Sequence, residues 1–158
     1  MKRHFSNAPS RWLPQAASGW TNDLILFDGV CVLCRFWTRF VIQRDQAGRF
    51  RFVSIQSPQG LRLAERLGID PENPQTNAAI LDGVAYFKSD AALMVTQHLR
   101  GMRWTRLLTL FPRDLRNRLY DLIARNRYAW FGRDEACLMP TPELAARLIE
   151  RPEQGGSP

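Results

Sequence analysis

The spacing of apolar residues changes abruptly near the start of the chain. Leu24–Phe27 is a continuous apolar run that ends at the turn signal Asp28-Gly29, a pattern typical of a buried strand. Beyond it, apolar residues recur at i, i+3, i+4, i+7 and i+8, namely at Leu33, Phe36, Trp37, Phe40 and Val41. This period predicts an amphipathic helix that begins near Cys31.

A strand and a helix follow each other a second time. Phe50–Ile55 is rich in aromatic and β-branched residues, as strands are. Ser57-Pro58 then supplies an N-cap and a first-turn proline, and Gly68 ends the helix that follows. Strand, helix, strand and helix in this order predict two parallel strands joined by a right-handed crossover.

A hairpin and further helices complete the pattern. The apolar segments 78–81 and 84–87 flank Asp82-Gly83, a strong signal for a two-residue hairpin turn. Helices are predicted from Ser89 or Asp90 to about Leu99, and over 104–111, 115–125 and 142–150. The order βαβα-ββ-α predicts an α/β fold, a thioredoxin-like core with additional C-terminal helices.

The domain organisation predicted from this pattern is simple. Residues 1–22 read as a flexible leader, residues 23–150 as a single thioredoxin-like domain whose appended helices span 102–150, and residues 151–158 as a disordered tail. The leader lacks the continuous apolar core of ~7–15 residues that a secretory signal needs. No apolar run approaches the ~20 residues of a transmembrane helix. We therefore expect a cytoplasmic protein with no transmembrane segment.

The positive charge of the chain is concentrated in one region. The formal net charge of the 158 residues is +7, and the segment Arg100–Arg133 holds nine arginines against two aspartates. Such a segment indicates either a surface for an acidic partner or a solvated helical face. The apolar stripe within it (Trp104, Leu107, Leu108 and Phe111) predicts helices that dock on the core. We expect weak, sequence-blind binding to nucleic acid and no specific nucleic-acid partner.

The stretch Cys31-Val32-Leu33-Cys34 allows several kinds of chemistry. A phosphatase resembling this stretch would need a second carboxylate two positions after Asp28, where the chain has Val30. A zinc site needs four ligands, and the chain offers no second Cys-x-x-Cys and only scattered histidines. We therefore expect no metal and no cofactor. Two inert, buried cysteines are the remaining structural alternative.

Redox chemistry requires little beyond the predicted position of the two cysteines. A helix N-terminus favours the thiolate, so Cys31 is the predicted nucleophile and the more exposed thiol. Arg35, one turn further on, could add a positive charge, and Cys34 would resolve the mixed disulfide. Asp28 either accepts the proton of Cys34 or binds backbone N–H groups of the turn. The function predicted is thiol–disulfide exchange through a Cys31/Cys34 couple.

The motif Asp28-Gly29-Val30-Cys31-Val32-Leu33-Cys34 resembles the signature of the DCC family of predicted thiol-disulfide oxidoreductases. "KSDAAL" at Lys88–Leu93, "YDLIARNRYAWFG" at Tyr120–Gly132 and the downstream Cys137 fit the same family. The resemblance implies a thioredoxin-like fold and dithiol–disulfide activity. Its partners would be a disulfide-containing or dithiol protein or a small thiol substrate.

The sequence leaves two alternatives, one for Cys137 and one for the function of the chain. Cys137 is a candidate third redox thiol or a buried small residue. The alternative function is a non-enzymatic binding module that uses the basic helical segment Arg100–Arg133, with a vestigial or metal-binding cysteine pair.

Overall fold

The computed structural model describes residues 12–17, 23–74, 76–133 and 141–148. Five strands form one mixed sheet: β1 (Gln15–Ala16), β2 (Asp23–Phe27), β3 (Phe50–Ser54), β4 (Ala78–Leu81) and β5 (Val84–Phe87). The helices are α1 (Val32–Arg44), α2 (Pro58–Leu67), α3 (Lys88–Thr96), a 3₁₀ helix (Arg103–Leu110), α4 (Arg113–Phe131) and α5 (Pro142–Ala145). The strand order across the sheet is β1-β5-β4-β2-β3.

Local chemistry explains how the sheet is connected. Strands β2 and β3 are parallel, with Ile25 opposite Phe52, and α1 forms the crossover between them, as the sequence predicts. Strands β4 and β5 are an antiparallel hairpin. Its two turn residues, Asp82 and Gly83, both have positive φ (50° and 78°), the backbone that a tight hairpin turn requires. The mixed sheet with several helices is consistent with a thioredoxin-like arrangement.

Both faces of the sheet are buried, which is why β2 is continuously apolar. Leu24 and Leu26 face a core that includes α2, whereas Ile25 and Phe27 face a core that includes residues of α1, α3 and α5. The carboxyl end of β2 therefore lies between two packed layers, and the cysteine motif follows directly after it.

Helix α2 approaches the sheet closely through a glycine. Ser57 Oγ accepts from the Gly60 N–H at 3.0 Å, and Gly68 ends the helix in the left-handed conformation, so both predicted caps are confirmed. A Cβ at Gly60 would lie 1.8 Å from the carbonyl oxygen of Ser54. Only glycine fits at this contact.

The ends of several predicted helices differ. Helix α3 begins at Lys88 and is capped by Phe87, with no side-chain hydrogen bond from the cap, rather than by Ser89 or Asp90. Residues 103–110 form a 3₁₀ helix, and α4 extends to Phe131. Helix α5 ends at Ala145. Residues 149–158 lie outside the described residues.

The predicted flexible leader is wrong for residues 12–17, which pack on the domain. Gln15 and Ala16 pair with Ala85 and Val84 of β5, at the edge of the sheet. Trp12 is 3% exposed, and its ring lies 5.3 Å from that of Phe87. Burial of an indole ring stabilises the attachment of this segment.

The 3₁₀ helix and α4 both pack on α3, as predicted, but they do not do so through the predicted apolar stripe. Nine large apolar side chains of the 3₁₀ helix, α4 and their connection are 45% or more exposed: Trp104, Leu107, Leu110, Phe111, Leu115, Leu119, Leu122, Trp130 and Phe131. We call these residues the exposed apolar face. Helix α4 instead turns Arg116 and Arg127 inward, toward the buried carboxylates of Asp90 and Asp28. Buried carboxylates need charged partners, and this requirement sets the rotation of the helix.

Among the described residues, no helix has both the length and the apolar character needed to cross a membrane.

Candidate redox site

Cys31 is the N-cap of α1, at the carboxyl end of β2. Its Sγ accepts a hydrogen bond from the backbone N–H of Cys34 at 3.4 Å, and its carbonyl accepts from the Arg35 N–H at 3.0 Å. Both Cys31 and Cys34 are free thiols. The arrangement brings the first sulfur to the unpaired N–H groups of a helix N-terminus.

The two thiols differ in acidity. The pKa of Cys31 is lowered from 9.0 to about 6 by a hydrogen bond from the Cys34 side chain, by the Cys34 backbone N–H and by the charge of Arg127. Burial and the charge of Asp28 oppose this shift. The same side-chain hydrogen bond, burial and the charge of Cys31 raise the pKa of Cys34. Near neutral pH the pair therefore holds one thiolate, on Cys31, and one proton, on Cys34.

The expectation that Cys31 is the more exposed thiol is wrong. Cys31 is 0% exposed, whereas Cys34 is partly exposed. The cover is the chain just after α4, where Arg133 forms an antiparallel bridge with Cys31 and the Gly132 carbonyl accepts from the Val32 N–H at 3.4 Å. We call Gly132 and Arg133 the thiolate cover.

Asp28 is the centre of a buried hydrogen-bond network. Its Oδ1 accepts from the Val30 N–H at 3.2 Å and from Gln56 Nε2 at 2.8 Å. Its Oδ2 accepts from the hydroxyl of Tyr128 and lies 3.5 Å from Arg127 Nη2. The turn hydrogen bond expected from the sequence is therefore present. The role of Asp28 as proton acceptor stays a prediction.

Helix α4 supplies site residues that the sequence reasoning missed. Arg127 is a cation that lowers the pKa of Cys31, and Tyr128 binds Asp28 across a sequence separation of 100 residues. Both lie in the stretch Tyr120–Gly132 that carries the family resemblance, which is the one signal that could have found them. The role predicted for Arg35 remains a prediction.

A small cavity of about 110 Å³ reaches Cys34. Its wall includes Asp28, Thr76, Tyr120 and Arg127. The Tyr120 hydroxyl accepts from the Asn77 N–H at 3.0 Å and donates to Asn77 Oδ1 at 2.9 Å, and burial raises the pKa of Tyr120. Tyr120 therefore stays neutral and fixes the loop before β4 against α4.

Two other predictions concern Cys137 and metal binding. Cys137 lies outside the described residues, so its role stays a prediction. Within the described ranges, no cluster of three or more His, Cys, Asp or Glu side chains could hold a metal ion.

The chain is similar to proteins of one family. The family model of the DCC1-like thiol-disulfide oxidoreductases matches residues 25–133. The uncharacterized protein YuxK of Bacillus subtilis (strain 168) is 41% identical over 131 residues, which cover 81% of this chain and 94% of that protein. A chloroplastic DCC family protein of Arabidopsis thaliana is 33% identical over 132 residues, 80% of this chain and 76% of that protein.

No solved structure gives a significant match. The matched family segment begins within β2 and ends at the thiolate cover, so it contains the cysteine motif, the Asp28 network and α4. The chain belongs to the DCC1-like thiol-disulfide oxidoreductase family.

Proposed function

We propose that the protein exchanges electrons with thiols and disulfides through a Cys31/Cys34 couple. The observation that carries this proposal is the hydrogen bond from the Cys34 N–H to Cys31 Sγ at the start of α1, together with the opposite pKa shifts of the two thiols. One thiol is poised as a nucleophile and the other retains the proton that the second step releases.

The exchange has two balanced steps. The Cys31 thiolate attacks a substrate disulfide R–S–S–R′, which forms Cys31–S–S–R and releases R′–S⁻. Cys34 then loses its proton and attacks Cys31 Sγ, which forms the Cys31–Cys34 disulfide and releases R–S⁻. The substrate gains two electrons and the protein dithiol loses them. Since Cys31 is covered, the first step requires movement of Gly132 and Arg133.

Asp28 is the proposed acceptor of the Cys34 proton. It lies in the wall of the cavity that reaches Cys34, and its charge acts on both thiols. Tyr128 and Arg127 hold its second oxygen, and burial together with the hydrogen bond to Asp28 raises the pKa of Tyr128. A fixed carboxylate beside a thiol of raised pKa is suited to general-base catalysis.

The thioredoxin-like classification of the fold is part of this proposal. The order β5-β4-β2-β3, with β2 and β3 parallel and the hairpin antiparallel, supports it. So does the position of the cysteine pair at the junction of β2 and α1. We further propose a reducing, cytoplasmic environment, which suits a catalytic rather than a structural dithiol.

Trapping of the intermediate tests the function. In the Cys34→Ser variant, a small disulfide such as cystine should leave a stable mixed disulfide on Cys31, identified by peptide mass spectrometry. The matched Cys31→Ser variant should show no turnover of disulfides. Cys137→Ser should retain it, and a loss of turnover there would assign Cys137 a part in the exchange. Wild-type turnover that survives Cys31→Ser would contradict the proposal.

The exposed apolar face favours a second candidate function, attachment to an anionic membrane surface. Trp104, Leu107 and Leu110 recur every three residues, so in a 3₁₀ helix they share one side. Exposed arginines accompany them, among them Arg103 and Arg106. Aromatic and leucine side chains with adjacent arginines suit the interface of a bilayer that carries negative lipid headgroups.

Vesicle sedimentation distinguishes attachment to a membrane from binding of nucleic acid. Vesicles with phosphatidylserine should bind the protein, and neutral vesicles should not. The Leu107→Ser/Leu110→Ser variant should lose binding, whereas Phe36→Ser, at an exposed position on α1, should retain it. Failure to bind anionic vesicles would refute membrane attachment. A nucleic-acid complex that survives about 200 mM salt would also count against it, because the basic residues would then serve a nucleic-acid partner.

A further inference from the structure

A second, larger cavity lies beside the one that reaches Cys34. Its volume is about 420 Å³, within the range of ~300–1,000 Å³ typical of small-molecule sites. Pro74, Ala124 and Arg127 line both cavities, so the two are adjacent. The larger cavity is therefore placed to hold the body of a small molecule whose thiol end points toward the cysteine pair.

The larger cavity is cationic. Among the described residues that line it, Lys88, Arg125 and Arg127 are positively charged and Asp121 is the one carboxylate. Arg127 is 8% exposed, and its Nε has no hydrogen-bond partner among the described residues, although Nη2 of the same guanidinium is paired with Asp28. A buried N–H donor without a partner is costly, and an acidic ligand would satisfy it.

Lys88 gives independent support, because it is held in an unfavourable conformation. Its φ is 52°, in the left-handed region of backbone conformation that residues other than glycine seldom adopt. Its N–H donates to Thr76 Oγ1 at 2.8 Å, and its buried ammonium lies 2.7 Å from Asp121, which is itself partly exposed. The strain is retained at a position where it brings a buried positive charge to the cavity wall.

We propose that this cavity binds a small thiol bearing carboxylates, the electron donor that reduces the oxidised Cys31/Cys34 pair. The inference rests on the proposed function of that pair. Cys34 is the sulfur that lines the adjoining cavity, and Cys31 is buried, so the donor reaches Cys34. The substrate disulfide and the donor thiol thus meet different sulfur atoms.

The exchange balances with two donor molecules. The donor thiolate R–S⁻ attacks Cys34 Sγ of the disulfide, which forms Cys34–S–S–R and releases Cys31 as a thiolate. A second R–S⁻ attacks the donor sulfur, which releases R–S–S–R, and Cys34 takes up a proton. A leaving thiol of low pKa departs faster, and Cys31 has that property in this fold.

The first experiment measures binding without redox chemistry. In the Cys31→Ser/Cys34→Ser double variant, calorimetry should detect binding of reduced glutathione and much weaker binding of its diethyl ester, whose carboxylates are masked. Adding Arg125→Gln should weaken glutathione binding by roughly fivefold, the size expected for one exposed ion pair. Arg118→Gln, an exposed position on the same helix, should leave it unchanged. Equal binding of glutathione and its ester would overturn the proposal.

The second experiment follows reduction of the oxidised protein. Glutathione should reduce it faster than the diethyl ester at equal thiolate concentration, and Arg125→Gln should remove most of that advantage. In Cys31→Ser, oxidised glutathione should form its adduct on Cys34. If the ester reduces the protein as fast as glutathione does, the redox function stands and the donor site is refuted. If neither compound reduces the Cys31–Cys34 disulfide but dithiothreitol does, the donor site is refuted and the proposed function stands. If dithiothreitol also fails to reduce it, the proposed function itself fails.

Discussion

The acidity of Cys31 should depend chiefly on the thiol of Cys34. A pKa lowered from 9.0 to about 6 corresponds to about 4 kcal/mol in favour of the thiolate. The side-chain hydrogen bond from Cys34 is the largest cause, ahead of its backbone N–H and of Arg127. Cys34→Ala removes that hydrogen bond and retains the backbone N–H. The pKa of Cys31 should therefore rise in this variant.

The size of the rise follows from the strength of the lost bond. A hydrogen bond to a charged group contributes about 1.5–3 kcal/mol, which would raise the pKa of Cys31 in Cys34→Ala to between about 7 and 8. The thiolate fraction near neutral pH would fall from about 90% to between about 10% and 50%. Because the thiolate is the reactive form, the rate of reaction should rise with pH through about 6 in the wild type and through the higher pKa in the variant.

Ultraviolet absorbance of the thiolate against pH measures this pKa without requiring access to the buried sulfur. The signal of the Cys31→Ser variant is subtracted as the baseline, since it contains the contribution of the other cysteines. Cys34→Ser is the matched control, because its hydroxyl can still donate and should keep the pKa of Cys31 below that in Cys34→Ala. A Cys34→Ala variant that titrates as the wild type does, or a wild-type Cys31 that titrates near 9, would show that the Cys34 thiol does not control the acidity of Cys31.

Three further outcomes follow from the geometry. Gly132→Ala places a side chain at φ 92°, which costs on the order of 1–3 kcal/mol and should loosen the thiolate cover. Iodoacetamide should then alkylate Cys31 roughly tenfold faster, and an unchanged rate would contradict the covering role of Gly132 and Arg133. Gly60→Ala should destabilise the protein by about 3 kcal/mol because backbone must move, seen as a melting temperature lower by roughly 10 °C. Asp28→Asn should slow the attack of Cys34 on the mixed disulfide, so that the mixed disulfide accumulates on Cys31. The pKa of Cys31 should not rise in this variant, because the charge of Asp28 raises that pKa in the wild type. Rapid resolution would exclude Asp28 as the proton acceptor.

The elements predicted well are those that local sequence determines. The apolar run of β2, the Asp82-Gly83 turn and the caps at Ser57 and Gly68 each express the preference of a few adjacent residues. The position of Cys31 at a helix N-terminus is of the same kind. Each could be read from the chain because no distant residue is needed to decide it.

The features that were missed depend on residues far apart in the chain. The rotation of α4 follows from the pairing of Arg116 with Asp90 and of Arg127 with Asp28, and an apolar stripe at helical spacing does not reveal these partners. The burial of Cys31 likewise depends on Arg133, more than a hundred positions away. Helical period shows that one side of a helix is apolar, and it does not show which side the rest of the fold requires.

The proposed function requires Cys31 and Cys34 to form a reversible dithiol–disulfide couple. The most direct test equilibrates the protein with graded ratios of reduced and oxidised dithiothreitol or glutathione, traps free thiols by alkylation and maps the products by mass spectrometry. We predict a single two-electron transition that joins Cys31 to Cys34. Its reduction potential should lie between about −270 and −120 mV, the range from reducing to oxidising dithiol–disulfide oxidoreductases. If both cysteines remain thiols, or form disulfides only with other partners, under conditions that oxidise the reference thiols, the two cysteines do not form a redox couple.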